Sequence, residues 1–322
     1  MVLSLVQNSK DKSFNLKEYY QIHKAILFKR KAGGFGDILM MRMIFEDIKE
    51  SYPEFEIHWA IPKKYHDIGN HPFVDKILDF EDVTRNDYVN SINLSEACIV
   101  YEMKYERECF LHRSDIWAKH CGIELKNHNM HLNPDKNAVE KMKFLFNEFK
   151  KFKDKKTIIL CPFSANPPKD FTSDQIKFII NYLESKNLNC FLVHNQLDFR
   201  FFEQDYPFFK VTNFKDTIAT HYLADGVISV DTGHLHCAAG LKKPLMGIFG
   251  YVDGDIYAKY YDLVILQKHR KYNNWPCNGP CWNYFKCTVP HTTSQKPCMT
   301  MLTYEEIAEK IDLFLHKYNI QG

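Results

Sequence analysis

The chain has 322 residues, 45% of them hydrophobic and 15% aromatic, and a formal net charge of +2. This size suits two domains with buried cores, and the near-neutral charge gives no overall electrostatic case for a protein that binds nucleic acid or membrane surfaces. Residues 1–20 lack the features of a signal peptide, and no apolar run is long enough to span a bilayer. We therefore expect a cytoplasmic protein whose ten cysteines are reduced thiols or metal ligands.

The first half of the chain alternates short apolar runs with amphipathic segments. A second amphipathic segment is followed by the charged run 150–156, which we interpret as a solvated hinge between domains 1–153 and 154–322. The alternation predicts a doubly wound parallel sheet. The predicted strands are Lys24–Lys29, Glu56–Ile61, Val74–Phe80 and Ala97–Tyr101, and the predicted helices are Ile38–Ser51 and Ala138–Lys151.

The second half repeats this α/β alternation. A helix is predicted to begin near Ser173, and a terminal helix spans Thr303–Tyr318 with a capping box formed by Thr303 and Glu306. The predicted strands are Thr157–Cys161, Asn189–His194, Gly226–Val230 and Leu245–Phe249.

The segment 224–250 carries the most information about function. Residues 227–230 have the pattern of a buried parallel strand, Asp231-Thr232-Gly233 forms a turn with N-cap groups, and a helix follows. A helix that begins at the carboxyl end of a parallel strand directs free N–H groups and a positive dipole end into the sheet crevice. A pyrophosphate binds at such a place, and His236 is close enough in sequence to donate to it.

This segment resembles the donor-binding motif of glycosyltransferase family nine, the lipopolysaccharide heptosyltransferases. Their pattern is Asp-Thr-Gly-x-x-His, then small residues, Lys-Pro and Phe-Gly, and every position is matched here. The resemblance implies the GT-B fold, with two Rossmann-like domains facing a cleft and a C-terminal helix that can cross back to the first domain. It also implies that Thr232, Gly233 and His236 bind donor phosphate and ribose, while Asp231 fixes the turn. The alternative is an ordinary strand–helix–strand unit with a core histidine.

A glycine-rich turn, Gly33-Gly34-Phe35-Gly36-Asp37, follows the first strand, and its glycines allow the backbone to approach a ligand closely. Gly36-Asp37 is similar to the Gly-Asp of heptosyltransferases, in which the Asp is the proposed catalytic base. A neutral alcohol is a poor nucleophile, so sugar transfer needs such a base near the acceptor hydroxyl. Asp37 is therefore the catalytic candidate and Gly36 a donor-site residue; the alternative is that Asp37 only caps the following helix.

A third set of candidates lies in residues 161–171, between a strand and a helix. Family members have a Lys or Arg here that contacts donor phosphate, and Lys169 matches it. The leaving nucleoside diphosphate needs a cation or helix dipoles to stabilise its charge, and Ser164 can add a hydroxyl contact. A solvated loop lysine is the alternative. In the first half, Lys104, Arg107 and Arg113 can meet an anionic acceptor, although a solvated surface is the simpler interpretation.

Four cysteines, Cys277, Cys281, Cys287 and Cys298, fall in a Pro/Gly-rich stretch that a structural metal would stabilise, with His291 as a substitute ligand. Family members often carry a similar stretch, and a related autotransporter heptosyltransferase group uses it for a structural iron. Zinc or iron is therefore expected, with reduced thiols packed on neighbouring aromatic residues as the alternative. The run Asp253-Gly254-Asp255 superficially resembles a catalytic metal motif of another glycosyltransferase fold but is interpreted as a turn.

Together these motifs predict an inverting, metal-independent glycosyltransferase. The sugar would move from a nucleotide sugar, ADP-heptose-like or a UDP-sugar, to a hydroxyl of a glycan or lipopolysaccharide-type acceptor. The chain departs from the family pattern in the double glycine before Phe35, in His234 and in its short Cys-rich tail, which leaves donor and acceptor open. The alternatives are a phage-type transferase acting on hydroxymethylated DNA bases, a sugar-nucleotide epimerase and a non-catalytic nucleotide-binding module.

Overall fold

The computed structural model describes residues 24–31, 33–83, 88–105, 108–165, 167–194, 208–211, 213–268, 280–281, 287, 289–290 and 296–322. The strands are β1 (Ala25–Lys29), β2 (Glu56–Ile61), β3 (Lys76–Asp79), β4 (Asn90–Asn93), β5 (Thr157–Cys161), β6 (Asn189–His194), β7 (Phe208–Lys210), β8 (Gly226–Val230), β9 (Leu245–Phe249) and β10 (Val264–Gln267). The helices are α1 (Phe35–Met41), α2 (Ile44–Ser51), α3 (Ala97–Tyr105), α4 (Arg113–His120), α5 (Lys136–Phe149), α6 (Ser173–Ser185), α7 (Phe214–Leu223), α8 (Gly233–Gly240), α9 (Gly254–Tyr257), α10 (Pro297–Thr300) and α11 (Tyr304–Lys317), and Lys63–Ile68 forms a 3₁₀-helix.

The strands form two parallel sheets, one in each half of the chain. The first has the order β3-β2-β1-β4 and the second the order β10-β9-β8-β5-β6-β7. In each sheet the strand order reverses beside the first strand of that half, β1 or β5. Open parallel sheets bind ligands outside the carboxyl ends of their strands at such reversal points. The turns that follow β1, β5 and β8 therefore stand where a ligand is expected.

The two sheets confirm the predicted doubly wound α/β architecture, and most predicted strands are confirmed to within a residue. The prediction of a strand at Ala97–Tyr101 is wrong, because this run lies in α3 and the sheet is completed instead by β4. Cys98 and Glu102, four residues apart, are the buried positions of this helix, whereas Val100 between them is 62% exposed. The apolar run therefore follows a helical period, and its exposed members gave a misleading strand signal.

The predicted helix Ile38–Ser51 is two helices, α1 and α2, separated at Arg42 and Met43. Arg42 is 1% exposed, and its guanidinium donates to the backbone carbonyls of Ile68, Met130 and His131. A buried guanidinium is tolerated only when its N–H groups are satisfied in this way. The interruption between the helices thus coincides with a buried polar anchor for the loop at 130–131.

Two helices, α5 and α11, pack against elements of the second half of the chain. The α5 helix contacts α7, with Lys141 Nζ 2.6 Å from Asp216 Oδ2, although it precedes the predicted boundary at 153/154. The terminal helix α11 has the predicted capping box of Thr303 and Glu306. The expectation that this helix crosses back to the first half is wrong: its buried residues, including Phe314, belong to a core formed with β5, β8 and α6.

A second apolar core is continuous between the halves. It contains Phe28 and Trp59 of the first sheet together with Ile159 and Phe249 of the second. In the part of the chain that is described, every helix is too short or too polar to cross a membrane.

Candidate active site

A cleft of about 410 Å³ lies between the carboxyl ends of the two sheets. Its lining brings together all of the catalytic and donor-site residues expected from the sequence, from three separate segments of the chain. These residues are Gly36, Asp37, Ser164, Lys169, Asp231, Thr232, Gly233 and His236. The spacing of these residues in the chain gives no hint of this proximity; only the facing of β1 against β5 and β8 creates it.

At the floor of the cleft, α1 of the first half packs directly on α8 of the second. A Cβ atom placed on Gly36 would lie 2.4 Å from His236 Cδ2, a distance that no folded structure tolerates. Beside this contact, Phe35 stacks on Phe214 with ring centroids 4.6 Å apart, and Tyr65 packs on the same Phe214 ring. Glycine at position 36 therefore allows the turn that carries Asp37 to approach α8.

We expect Gly36→Ala to weaken binding of a nucleotide donor and to lower the melting temperature, because α1 and α8 must separate or His236 must move. The matched control is Gly34→Ala, since a Cβ atom at position 34 meets nothing within 4 Å. Nucleotide binding and thermal unfolding of the two variants measure the difference. Equal behaviour of both variants would contradict the proposed role of the close contact.

Asp37 is held between two arginines. Arg113 Nη1 donates to Asp37 Oδ1 at 2.5 Å, Arg30 Nη2 lies 3.5 Å from Oδ2, and the Gly34 N–H donates to Oδ2 at 2.9 Å. Burial alone would raise the pKa of Asp37, but Arg113, Arg30 and the Gly34 N–H outweigh it and lower this pKa to about 2. The Asp37 carboxyl is therefore ionised at every pH at which a folded protein would be assayed.

The double glycine that departs from the family pattern has a structural reason in this turn. Gly33 has φ +123°, a backbone conformation that favours glycine, and a Cβ atom there would lie 2.5 Å from Arg30 Nη2. Gly33 therefore leaves the space in which Arg30 reaches Asp37. Asp37 also forms a capping interaction with the Gly34 N–H, so the capping alternative and the cleft position are both true of this residue.

Arg113 is the main residue whose place differs from the simpler sequence interpretation. It is 8% exposed, lines the cleft and lies over the Tyr257 ring at 5.3 Å, whereas a solvated surface position was preferred. Its other two nitrogens pair with buried Glu102. No motif marks Arg113 or Arg30 in the sequence. Lys104 is exposed as expected, and Arg107 lies outside the described residues.

On the donor side of the cleft, Lys169 and Asp231 form a buried ion pair. Lys169 Nζ lies 2.7 Å from Asp231 Oδ2, and the two side chains are 15% and 3% exposed. Thr232 is the N-cap of α8, and its hydroxyl makes no cap hydrogen bond within that helix. The cleft thus presents a lysine, a hydroxyl and the first N–H groups of a helix on one wall, a combination that suits a phosphate group.

His236 reaches this wall from the first turn of α8. Its Nδ1 lies 2.7 Å from Tyr261 Oη, and its Nε2 is 4.0 Å from Asp231 Oδ1. Burial lowers the pKa of His236 to about 4, so the ring is neutral near pH 7. If the Tyr261 hydroxyl donates to Nδ1, the ring proton resides on Nε2 and faces the cleft.

Ser164 is fixed by the loop that precedes α6. Its backbone N–H donates to Asp170 Oδ1 at 2.7 Å, and the residue is 7% exposed at the cleft wall. Burial raises the pKa of Asp170 to about 6 despite this hydrogen bond. The loop is therefore shaped by Asp170, while Ser164 and Lys169 face the cleft.

The Cys-rich stretch is described in part. Cys281 and Cys298 are buried and Cys287 half-buried, whereas Cys277 and His291 lie outside the described residues. The Cys281 N–H donates to the Tyr251 carbonyl at 2.8 Å, and a Cβ atom on Gly250 would lie 3.3 Å from Cys298 Sγ. Two of the four predicted ligands thus lie next to consecutive residues after β9, Cys281 beside Tyr251 and Cys298 beside Gly250.

A different group of metal-ligating side chains was missed by sequence reasoning. The donor atoms of Cys161, His221 and His234 lie within 4.8 Å of one another, and all three residues are buried. Cys161 Sγ is 3.9 Å from His221 Nε2, while His221 Nδ1 lies 2.8 Å from the Thr217 carbonyl. The two imidazole rings are stacked at 9° rather than directed to a common centre. This donor set suits zinc, but its present geometry is that of packed rings with a thiol–imidazole hydrogen bond.

Asp253 caps the short helix α9, because its side chain accepts from the Asp255 N–H at 3.1 Å. This agrees with the interpretation of the Asp-Gly-Asp run as a turn. A larger cavity of about 730 Å³, lined by Arg42, His71 and Lys215 among others, contains none of the predicted site residues. The chemistry expected from the sequence therefore lies in the smaller cleft.

Comparison with known proteins agrees with this arrangement. No curated protein matches the chain. Among solved structures, the glycosyl transferase family 9 protein of Veillonella parvula superposes with a TM-score of 0.70 at 12% identity, covering 92% of this chain and 98% of that one. Heptosyltransferase II of E. coli superposes with a TM-score of 0.57 at 13% identity, covering 91% of this chain and 99% of that one. The iron-containing dodecameric heptosyltransferase TibC of E. coli superposes with a TM-score of 0.67 at 12% identity, covering 98% of this chain and 83% of that one.

These likenesses show the fold, which is that of GT-B glycosyltransferases. A family model for glycosyltransferase family 9 (heptosyltransferase) matches residues 106–279, more than half of the chain, including the Lys169 loop and the α8 motif. The chain therefore belongs to glycosyltransferase family 9 and is a glycosyltransferase.

Proposed function

We propose that this protein is an inverting glycosyltransferase that moves a sugar from a nucleoside diphosphate sugar to a hydroxyl of a glycan or lipopolysaccharide-type acceptor. The donor is an ADP-heptose-like nucleotide sugar or a UDP-sugar. The observation that carries this proposal is the position of Asp37 in one cleft with Lys169, Thr232 and the N-terminus of α8. A base and phosphate-binding groups that line one cleft suit transfer of a sugar from a diphosphate to an acceptor hydroxyl.

In the proposed reaction, Asp37 takes the proton of the acceptor hydroxyl. The hydroxyl oxygen bonds to the anomeric carbon while the bond from that carbon to the diphosphate oxygen breaks and its electron pair leaves with the phosphate. A carboxylate with a pKa of about 2 is a weak base. It still accepts this proton, because a hydroxyl oxygen that is bonding to carbon becomes strongly acidic as the transition state is passed.

The leaving diphosphate would be stabilised by the opposite wall of the cleft. Lys169 supplies a positive charge, the N–H groups of Thr232, Gly233 and the following turn supply a helix dipole, and the Nε2 of His236 supplies a donor. Gly36 contributes space rather than a bond, because it brings Asp37 close to His236. Asp231, paired with Lys169, holds that lysine at the cleft and fixes the turn. Protein groups alone thus suffice for the proposed charge stabilisation.

The choice of donor rests on similarity. TibC, one of the structural relatives, has been solved with ADP-D-β-D-heptose, and E. coli heptosyltransferase II is named for ADP-heptose and lipopolysaccharide. Each is 13% identical or less to this chain, so we propose, by similarity alone, that this chain uses a donor of the same kind. The division into domains 1–153 and 154–322 likewise remains a proposal that the two separate sheets support.

We also propose that Cys277, Cys281, Cys287 and Cys298 hold a structural zinc or iron. Support comes from the positions of Cys281 beside Tyr251 and Cys298 beside Gly250, and from the iron-containing relative TibC. Such a metal would link these two cysteines next to the end of β9. Elemental analysis of the purified protein and of Cys281→Ser tests this, and a metal-free wild-type protein would contradict it.

The experiment that tests the function is a binding and turnover series with ADP, UDP, GDP and their sugar conjugates. We expect one nucleotide to raise the melting temperature, and its sugar conjugate to release nucleoside diphosphate when a glycan acceptor or water receives the sugar. A shift with ADP favours heptosyl transfer, and one with UDP favours another sugar. No shift with any nucleotide, and no release, would contradict the proposed donor site.

A further inference from the structure

Glu102 is a buried carboxylate that the proposed reaction does not use. It lies on α3, is 1% exposed, and accepts from Arg113 Nε at 2.7 Å and from Arg113 Nη2 at 2.9 Å. A buried charge is costly unless it is paired and hydrogen-bonded, and this two-point contact satisfies both carboxylate oxygens. The same contact also fixes the plane and position of the Arg113 guanidinium.

The one remaining nitrogen of Arg113 holds Asp37. Arg113 Nη1 donates to Asp37 Oδ1, and the Tyr257 ring, from the second half, lies 5.3 Å from the guanidinium carbon. An arginine opposite a carboxylate usually forms two parallel N–H···O bonds that engage both oxygens. Here Glu102 takes that two-point contact at the Nε/Nη2 edge and fixes the guanidinium plane, and in this orientation Arg113 bonds Asp37 through Nη1 alone.

We propose that Glu102 is a positioning residue for sugar transfer, because it holds the Arg113 guanidinium in the orientation in which Nη1 alone bonds Asp37, and so keeps lone pairs of Asp37 available to the acceptor hydroxyl. This inference rests on the proposed role of Asp37 as the base. Without Glu102, Arg113 is free to engage both oxygens of Asp37 or to turn toward the donor diphosphate in the cleft that it lines.

The charges around Asp37 fix the expected direction of each pH effect. The groups that face it are Arg30 after β1, Cys98 on α3, Arg113 on α4, His236 on α8 and Tyr257 on α9, while Glu102 pairs with the other edge of Arg113. Because Asp37 stays ionised at every assay pH, we expect the loss of kcat in Glu102→Gln to be the same at every pH. Removing the Arg113 charge raises the pKa of Asp37, so the acid limb of the pH profile moves upward.

The test measures release of ADP from ADP-heptose, with water as the acceptor when no glycan is added, in Glu102→Gln, Arg113→Met and the double variant. We expect Glu102→Gln to lower kcat by about 10- to 100-fold, which is the loss of rate expected when a reacting group is misplaced. The donor KM should stay within about two-fold of the wild-type value. We expect no further loss from Glu102→Gln in the Arg113→Met background, since Glu102 acts through Arg113. Glu102→Asp, which keeps the charge, should restore part of kcat.

The control for burial is Asp47→Asn. Asp47 is another buried carboxylate of the first half, bonded to the N–H groups of Lys126 and Asn127 and absent from the cleft lining. This variant should lower the melting temperature without changing kcat. If Glu102→Gln fails to fold, Glu102→Asp carries the test: its shorter carboxylate should lower kcat in the wild-type background and cause no further loss in the Arg113→Met background.

Several outcomes would overturn the inference without touching the proposed function. One is a wild-type kcat in Glu102→Gln. Another is an equal loss of kcat from this substitution in the wild-type and Arg113→Met backgrounds. The third is a lower donor KM with kcat unchanged, which would indicate that Arg113 binds the donor instead. Wild-type turnover in Asp37→Asn would instead remove the proposed base. Absence of ADP release by the wild-type protein under these conditions would count against heptosyl transfer itself.

Discussion

Replacing Asp37 by Asn is expected to lower kcat by about 1,000-fold, within the range that general bases contribute. Asparagine keeps the shape of the side chain and its position near Arg113, but it cannot take the proton of the acceptor hydroxyl. Nucleotide binding should persist, because the proposed phosphate-binding groups are other residues of the cleft, on the Lys169 loop and α8. Release of nucleoside diphosphate measures the first effect and the nucleotide-induced rise in melting temperature measures the second.

The Asp37→Asn result needs a control for the loss of a buried charge. Asp37 pairs with two arginines, so its removal also affects stability. Asp47→Asn, which removes a buried carboxylate outside the cleft, should keep full turnover. Turnover of Asp37→Asn close to that of wild type would show that Asp37 acts only as a cap for α1.

Replacing Lys169 by Met is expected to lower kcat by roughly 100- to 1,000-fold, the cost of losing one electrostatic contact to a developing charge. It should also destabilise the fold by about 3 kcal/mol, because Asp231, which is 3% exposed, is left as a buried unpaired charge. Lys169→Arg, which keeps the charge, should retain more activity. Steady-state turnover and denaturant unfolding report the two effects.

The two effects of Lys169→Met can be separated with a second substitution. In Lys169→Met/Asp231→Asn the unpaired carboxylate is gone, so stability should recover while turnover stays low. Recovery of both would mean that Lys169 serves only to satisfy Asp231 and does not contact the leaving diphosphate. If Lys169→Met alone kept both wild-type turnover and wild-type stability, Lys169 would be a solvated loop lysine.

The parts of the fold that follow from local pattern were predictable. Buried strands such as Gly226–Val230 are short, apolar and bounded by turn residues, and the capping box at Thr303 and Glu306 marks a helix start directly. The run at Ala97–Tyr101 was misread because its exposed Val100 looks like a strand residue when burial is unknown. The expectation that α11 can cross back to the first half was not met, because the sequence does not say which sheet a helix covers.

The candidate site was predictable where a motif marks it. The Asp231-Thr232-Gly233 turn and Gly36-Asp37 have recognisable spacings, and both lie in the cleft. The charged groups that tune the site were not predictable, because Arg30, Glu102 and Arg113 come from three separate elements and meet only in three dimensions. The same holds for Tyr261, whose contact with His236 spans 25 residues of chain.

The contact between Gly36 and His236 has a consequence for the thermodynamics of donor binding. It holds the turn that carries Asp37 against α8, the helix proposed to receive the diphosphate, and an apolar core continuous between the halves supports it. A site assembled before its ligand arrives loses less conformational entropy on binding than one that the ligand must close. More of the interaction with the donor can then favour the transition state over the bound substrate.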